Sequence, residues 1–173
     1  MKPFLILISF VFSVSSWSQI TGQCYQDGYP YPMVKVYFEN IKPKVTSDFE
    51  GTILLKIPKD SISKNLVFQY EGIYIQITNC PLSEGSTIDL GKIQLPKHKQ
   101  LTLEEYKKLK RKNRKECLPL YQGTTLIGYE NRYELDNDVL PFHCPDGKGV
   151  SGYVYDKKRN VFTIPWERFV GCE

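Results

Sequence analysis

The residues best equipped for metal or nucleophilic chemistry are five cysteines and two histidines: Cys24, Cys80, Cys117, Cys144, Cys172, His98 and His143. A zinc site would show a Cys-x-x-Cys pair or a helical histidine pair, and neither spacing occurs. A thiol hydrolase would pair Cys144 or Cys117 with His143. His143 and Cys144 are neighbours, however, and adjacent side chains on an extended strand point to opposite faces, so His143 could serve only another cysteine. Disulfides are the stronger reading. Cys24 lies in a first strand and Cys80 just after a later one, so the two could meet across a sandwich, while Cys144 and Cys172 could close the C-terminal segment. The odd count leaves one thiol free or paired between chains, and isolated buried thiols acting as small hydrophobes are the alternative.

Oxygen ligands gather at Asp136-Asn137-Asp138, with Asp146-Gly147 downstream. The closing glutamate of a calcium loop is missing, so these residues read as turns, and no metal is assigned. The sequence also lacks a glycine-rich phosphate loop, a Gly-x-Ser-x-Gly elbow and His-Glu-x-x-His. No catalytic residue and no cofactor is assigned. The remaining candidates are three tyrosines, Tyr25, Tyr29 and Tyr31, around the proline-rich loop Gln26 to Pro32. Rings on such a loop can stack on pyranose faces, which makes a glycan-binding loop the alternative to a plug at the end of the core.

Charge is concentrated in one place. Between Lys97 and Lys115 nine Lys or Arg face only Glu104 and Glu105, a local balance of +7 in a chain of net +4. Clustered cations of this kind suit a polyanion, but export argues against nucleic acid and no aromatic platform interleaves the run. A solvated linker helix is the favoured reading, with an anionic cell-envelope surface as its functional alternative. Thr102 and Glu105 fit a capping box, so a helix is expected there.

Export itself is inferred from the first residues. Lys2 precedes an apolar run from Phe4 to Val14, and Ser16-Trp17-Ser18 supplies small residues for a signal peptidase. That run is about half the ~20 residues needed to span a bilayer, so cleavage near Ser18 is expected rather than a retained transmembrane anchor.

The rest must form a scaffold, and its pattern is β. Aromatic residues make up 13% of the chain, and apolar residues recur with period two in short runs between turn formers. Ile53, Leu55 and Ile57 share one strand face, as do Leu66, Phe68 and Tyr70, and then Ile73, Ile75 and Ile77. Ahead of the first of these runs, Asp48 and Gly51 have the chemistry of a tight turn, and the stretch from Ser47 to Pro58 reads as a hairpin. About seven strands over residues 19–96 argue for an antiparallel sandwich.

The ordered series Ile20-Thr21-Gly22, Asp27, Tyr31 to Val36, Ser47 to Gly51, Phe68 to Gly72 and Leu90 to Leu95 resembles the carboxypeptidase regulatory-like domain. That resemblance covers residues 20–95. It implies a transthyretin/Ig-like, seven-stranded sandwich of the kind found in exported proteins and outer-membrane receptors of Bacteroidetes-type bacteria, a non-catalytic accessory module with no active-site residues to carry over. The expected organisation is a signal peptide over 1–18, the sandwich over 19–96, a basic linker helix over 97–117, and a small β-rich segment over 118–173. That last segment is either a disulfide-stabilised module or extra strands packed on the sandwich. The expected function is a binding or structural role, secreted, periplasmic or outer-membrane-associated, towards a protein or glycan at the cell envelope.

Overall fold

Period-two alternation of apolar residues builds most of this molecule. A computed structural model describes residues 18–42, 44–57, 65–81, 85–136 and 154–168, of which 58% are strand and 11% helical. In chain order the elements are β1 (Ser18–Gln26), β2 (Tyr29–Pro30), β3 (Lys35–Phe38), β4 (Val45–Thr46), β5 (Thr52–Ile57), β6 (Leu66–Tyr70), β7 (Ile73–Thr78) and β8 (Thr87–Gln94). They continue with β9 (His98–Leu101), α1 (Leu103–Lys108), α2 (Arg111–Arg114), β10 (Cys117–Gln122), β11 (Thr125–Leu135), β12 (Val154–Asp156), β13 (Val161–Pro165) and a 3-10 turn (Trp166–Arg168). Residues 1–17 of the expected signal peptide, Pro58, His143, Cys144, Cys172, Asn137, Asp138, Asp146 and Gly147 lie outside the described residues, and Ser18, where cleavage is expected, begins β1.

In the first sheet β1 pairs antiparallel with β2 and β5 and parallel with β8. A second, six-stranded sheet runs β12-β13-β7-β6-β3-β4, and a third runs β10-β11-β9. The inward alternation of the first two sheets closes one core. Ile20, Ile53, Leu55 and Ile93 meet Phe38, Phe68, Ile75 and Phe162, all of them buried. Each such side chain contributes about 1.5–3 kcal/mol by leaving water, so this core carries most of the stability.

The C-terminal part adds to this core. β13 lies parallel to β7 from Val161↔Tyr74 to Pro165↔Thr78, and it sends Phe162 and Ile164 inward. A parallel neighbour needs a long crossover, so local alternation gives no sign of which strand it will join.

Two turns are built from residues with positive φ. Asp27-Gly28 (φ 53 and 83) closes the β1–β2 hairpin and Glu71-Gly72 (43 and 76) closes β6–β7, as two-residue turns between right-twisted strands require. The Asp48 to Gly51 turn holds as a turn but not as a hairpin. Asp48 Oδ1 accepts from the amides of Glu50 and Thr52 at 3.0 and 2.8 Å, while Gly51 takes φ 71. β4 then bonds β3 in the six-stranded sheet, whereas β5 bonds β1 in the other. The turn therefore carries the chain between sheets, and Gly51 fits because a Cβ there would stand 2.3 Å from the Cys24 carbonyl oxygen.

The basic stretch is divided. His98–Leu101 is a strand paired with β11, and the Thr102–Glu105 capping box opens α1 as expected. Leu109 and Lys110 are extended and separate α1 from α2.

The expected Cys24–Cys80 bridge is not formed. Cys24, Cys80 and Cys117 are free, buried thiols. Cys24 projects from β1 and Cys80 follows β7 in the opposite sheet. Cys80 stands beyond the last residue of β7, and each thiol, fully buried, fills space as a small apolar group. Burial pushes both thiols up to about 12.

Candidate functional site

The three loop tyrosines do not converge. Tyr25 lies in β1 with the Lys92 ammonium 5.4 Å from its ring centroid. Tyr31 turns inward, edge-on to Tyr70 with centroids 5.9 Å apart, and its hydroxyl donates to Glu71 Oε1 at 2.6 Å. Tyr29 stands 76% exposed. One ring is therefore open for stacking, and the other two have partners within the chain.

Tyr31 belongs to a polar cluster that joins the sandwich to the third sheet. Arg132 of β11 approaches Glu71 at 3.8 Å and Glu130 at 3.3 Å, and His98 of β9 lies beneath at 4% exposure. Burial and the neighbouring Arg132 lower the His98 pKa below the ordinary histidine value. The nearby Glu71 main chain opposes that shift, but neither ring nitrogen has a hydrogen bond. Burial first and the Glu71 hydrogen bond second push the Tyr31 hydroxyl well above the usual tyrosine value. A neutral imidazole, a protonated phenol and paired charges make this a clamp between the β6–β7 turn and the third sheet.

A more open arrangement lies on the outer face of the six-stranded sheet. Alternation that buries Val36 and Phe38, Phe68, Ile75 and Phe162 must turn their strand neighbours outward. Register then forms two rows across the strands. One row is Lys35, Gln69, Tyr74 and Val161, and the other is Tyr37, Val67, Gln76 and Thr163. Tyr37, Glu39, Val67, Tyr74, Gln76, Arg159 and Val161 line a groove of about 330 Å³, near the lower end of the range for small-ligand sites.

The groove is chemically mixed. Val67 and Val161 form an apolar floor between the Tyr37 and Tyr74 rings, and Gln76 offers an amide. Gln69 Nε2 donates to the Tyr74 hydroxyl at 3.1 Å, which holds that ring in place. On the rim, Glu39 accepts from Asn65 Nδ2 at 2.8 Å, Arg159 Nε meets Asp156 Oδ2 at 3.0 Å, and the Lys44 ammonium lies 4.2 Å from the Tyr37 ring centroid. Burial, with Tyr74 and Glu39 nearby, raises the Tyr37 hydroxyl pKa, so it remains a donor at neutral pH. By sequence, Tyr37, Val67, Tyr74, Gln76 and Val161 belong to strands and Arg159 to the loop between the last two strands, with no site marked among them. The available signal was two tyrosines at outward positions of strands whose other face is wholly apolar.

Cys117 is no activated nucleophile. Burial and the adjacent Glu116 raise its thiol, and Sγ donates to the Asn113 carbonyl at 3.5 Å. Among the described residues, no group of three His, Cys, Asp or Glu side chains could hold a metal ion. No helix among them is long and apolar enough to cross a membrane.

The chain matches no protein-family model, and comparison with curated proteins gives no match.

Proposed function

We propose that this chain is an exported, non-catalytic binding module of the cell envelope, and that the groove between Tyr37 and Tyr74 is its ligand site. The groove's lining carries the reading: two tyrosine rings, an apolar floor, an amide, and one carboxylate and one guanidinium of opposite sign. Stacking surfaces beside spaced donors and acceptors fit a hydroxyl-rich, uncharged ligand, hence a glycan. The balanced rim gives a strongly charged ligand no particular advantage. The glycan reading of the Tyr25 to Tyr31 loop thereby moves to the outer face of the sheet, leaving Tyr29 as a lone exposed ring.

Two sheets closing one core, with the Asp48–Gly51 turn passing between them, support the likeness of residues 20–95 to the carboxypeptidase regulatory-like sandwich. The protonated Cys117 thiol supports a non-catalytic role over a cysteine-dependent enzyme. Secretion, or retention in the periplasm or at the outer membrane, rests on the apolar leader. A glycan array probed with the folded chain tests the reading. Signal on neutral glycans, competed by free sugar, is the expected result, and a silent array would sink it.

A further inference from the structure

The basic stretch is not a solvated linker. α1 is anchored at its start by the Thr102–Glu105 capping box, and on its face by Tyr106, whose ring lies on Tyr129 of β11 at 3.6 Å and 8°. Arg114 folds back beneath it, donating to the carbonyls of Leu109 and Lys107, with its guanidinium 5.5 Å from the Tyr106 ring. One cation of the run is thus spent on holding the two short helices together, and Lys107 pairs with Glu104.

Lys108, Lys110, Arg111, Lys112 and Lys115 remain exposed on this docked platform, and none makes an ion pair among the described residues. Glu116 is the acidic side chain within this run, and Glu104 and Glu105 stand at the far end of α1. Five cations without ion pairs, held close together, repel one another, an arrangement that an external anion relieves.

The adjoining β10–β11 hairpin adds a second feature. Leu118, Tyr121 and Ile127 are 48%, 60% and 52% exposed. Pro119 pairs with Tyr129, so Tyr121, two residues along β10, projects on the side of the hairpin where α1 is docked, and Ile127 is the extra residue of β11 where the register shifts opposite Leu120 and Tyr121. Soluble anions need only the charge. A bilayer surface uses both charge and insertable side chains, since cations meet headgroups while tyrosine and aliphatic groups enter the interface.

We propose that α1, α2 and the β10–β11 hairpin form a docking face for an anionic membrane surface, independently of the groove and its ligand. Lys108, Lys110, Arg111, Lys112 and Lys115 would supply the attraction, with Tyr121 and Ile127 as shallow anchors.

Vesicle co-sedimentation of the full chain tests this, with phosphatidylcholine vesicles compared with vesicles containing one third phosphatidylglycerol. Any contribution of the apolar leader is common to both. Binding to the anionic vesicles should be stronger and should fall as salt rises from 50 to 500 mM, because exposed charges are screened. The variant K108Q/K110Q/R111Q/K112Q/K115Q keeps Arg114 and Tyr106 and should melt like the parent. It should bind anionic vesicles on the order of a thousandfold more weakly, given the attraction expected for each of five surface cations. Y121S/I127S should retain the salt-dependent part and lose residual binding at high salt. Equal binding to the two vesicle types, or an undiminished quintuple variant, would overturn the proposal. So would capture of a soluble polyanion such as polyphosphate without capture of vesicles.

Discussion

The Tyr31 hydroxyl donates a 2.6 Å hydrogen bond to Glu71 Oε1, tying the proline-rich loop to the turn between β6 and β7. This bond explains why a tyrosine expected to present its ring to a ligand instead faces its own fold. Glu71 holds φ 43 in that turn while its carboxylate also faces Arg132. Tyr31→Phe should therefore cost stability, by ~1 kcal/mol or less for a partly solvated hydrogen bond to a charged acceptor. Chemical denaturation checks the cost, and glycan binding should be unchanged.

Gly51→Val should destabilise far more, by about 3 kcal/mol or more. The substitution adds backbone strain at φ 71 to a Cβ placed 2.3 Å from the Cys24 carbonyl oxygen, which cannot move without disturbing the 2.8 Å hydrogen bond it accepts from the Tyr31 amide. A thermal melt within about 2 °C of the parent would show that the turn relaxes more easily than its geometry indicates.

Cys24 and Cys80 should resist a thiol reagent in the folded protein at pH 8. Both are buried with thiols raised to about 12, so little reactive thiolate exists at that pH. Denaturant should expose them to full labelling. Failure to label after unfolding without reductant would mean that the pair is oxidised.

The clamp should make stability pH-dependent. His98 has its folded pKa lowered, chiefly by burial and then by Arg132, so the unfolded chain takes up a proton that the folded one refuses. Its contribution is fully present above the unfolded value of ~6.5 and declines as pH falls towards the folded value. Arg132 strengthens this effect, while the Glu71 and Glu130 carboxylates facing the ring weaken it. Urea midpoints from pH 7.5 to 5 should fall for the parent more steeply than for His98→Leu. Parallel trends would show that His98 takes up its proton in the folded state.

Much of the fold could be read from alternation, because β5, β6 and β7 each bury the face their sequence marks. The capping box at Thr102 could be read as well, since its partners lie three residues apart. Pairing could not. Asp48 and Gly51 make the same local turn whether the flanking strands bond each other or separate sheets, and only distant residues decide between these outcomes. β9 and β10 were hidden for related reasons. His98–Leu101 is short and polar, and β10 carries Pro119, which donates no amide to a ladder. The groove was least visible, because it forms only when β13 joins β7 and brings Arg159 and Val161 to the outer face beside Tyr37 and Tyr74.

Tyr37 and Tyr74 carry the central claim, and replacing both with alanine while titrating a neutral glycan selected on the array tests it most directly. Both rings lie outside the core, so the variant should fold. Calorimetry should show affinity reduced by about tenfold or more, as expected for truncating paired aromatic anchors, while Tyr29→Ala leaves it intact. Unchanged affinity in Y37A/Y74A, or its loss in Tyr29→Ala, would contradict the groove as the ligand site.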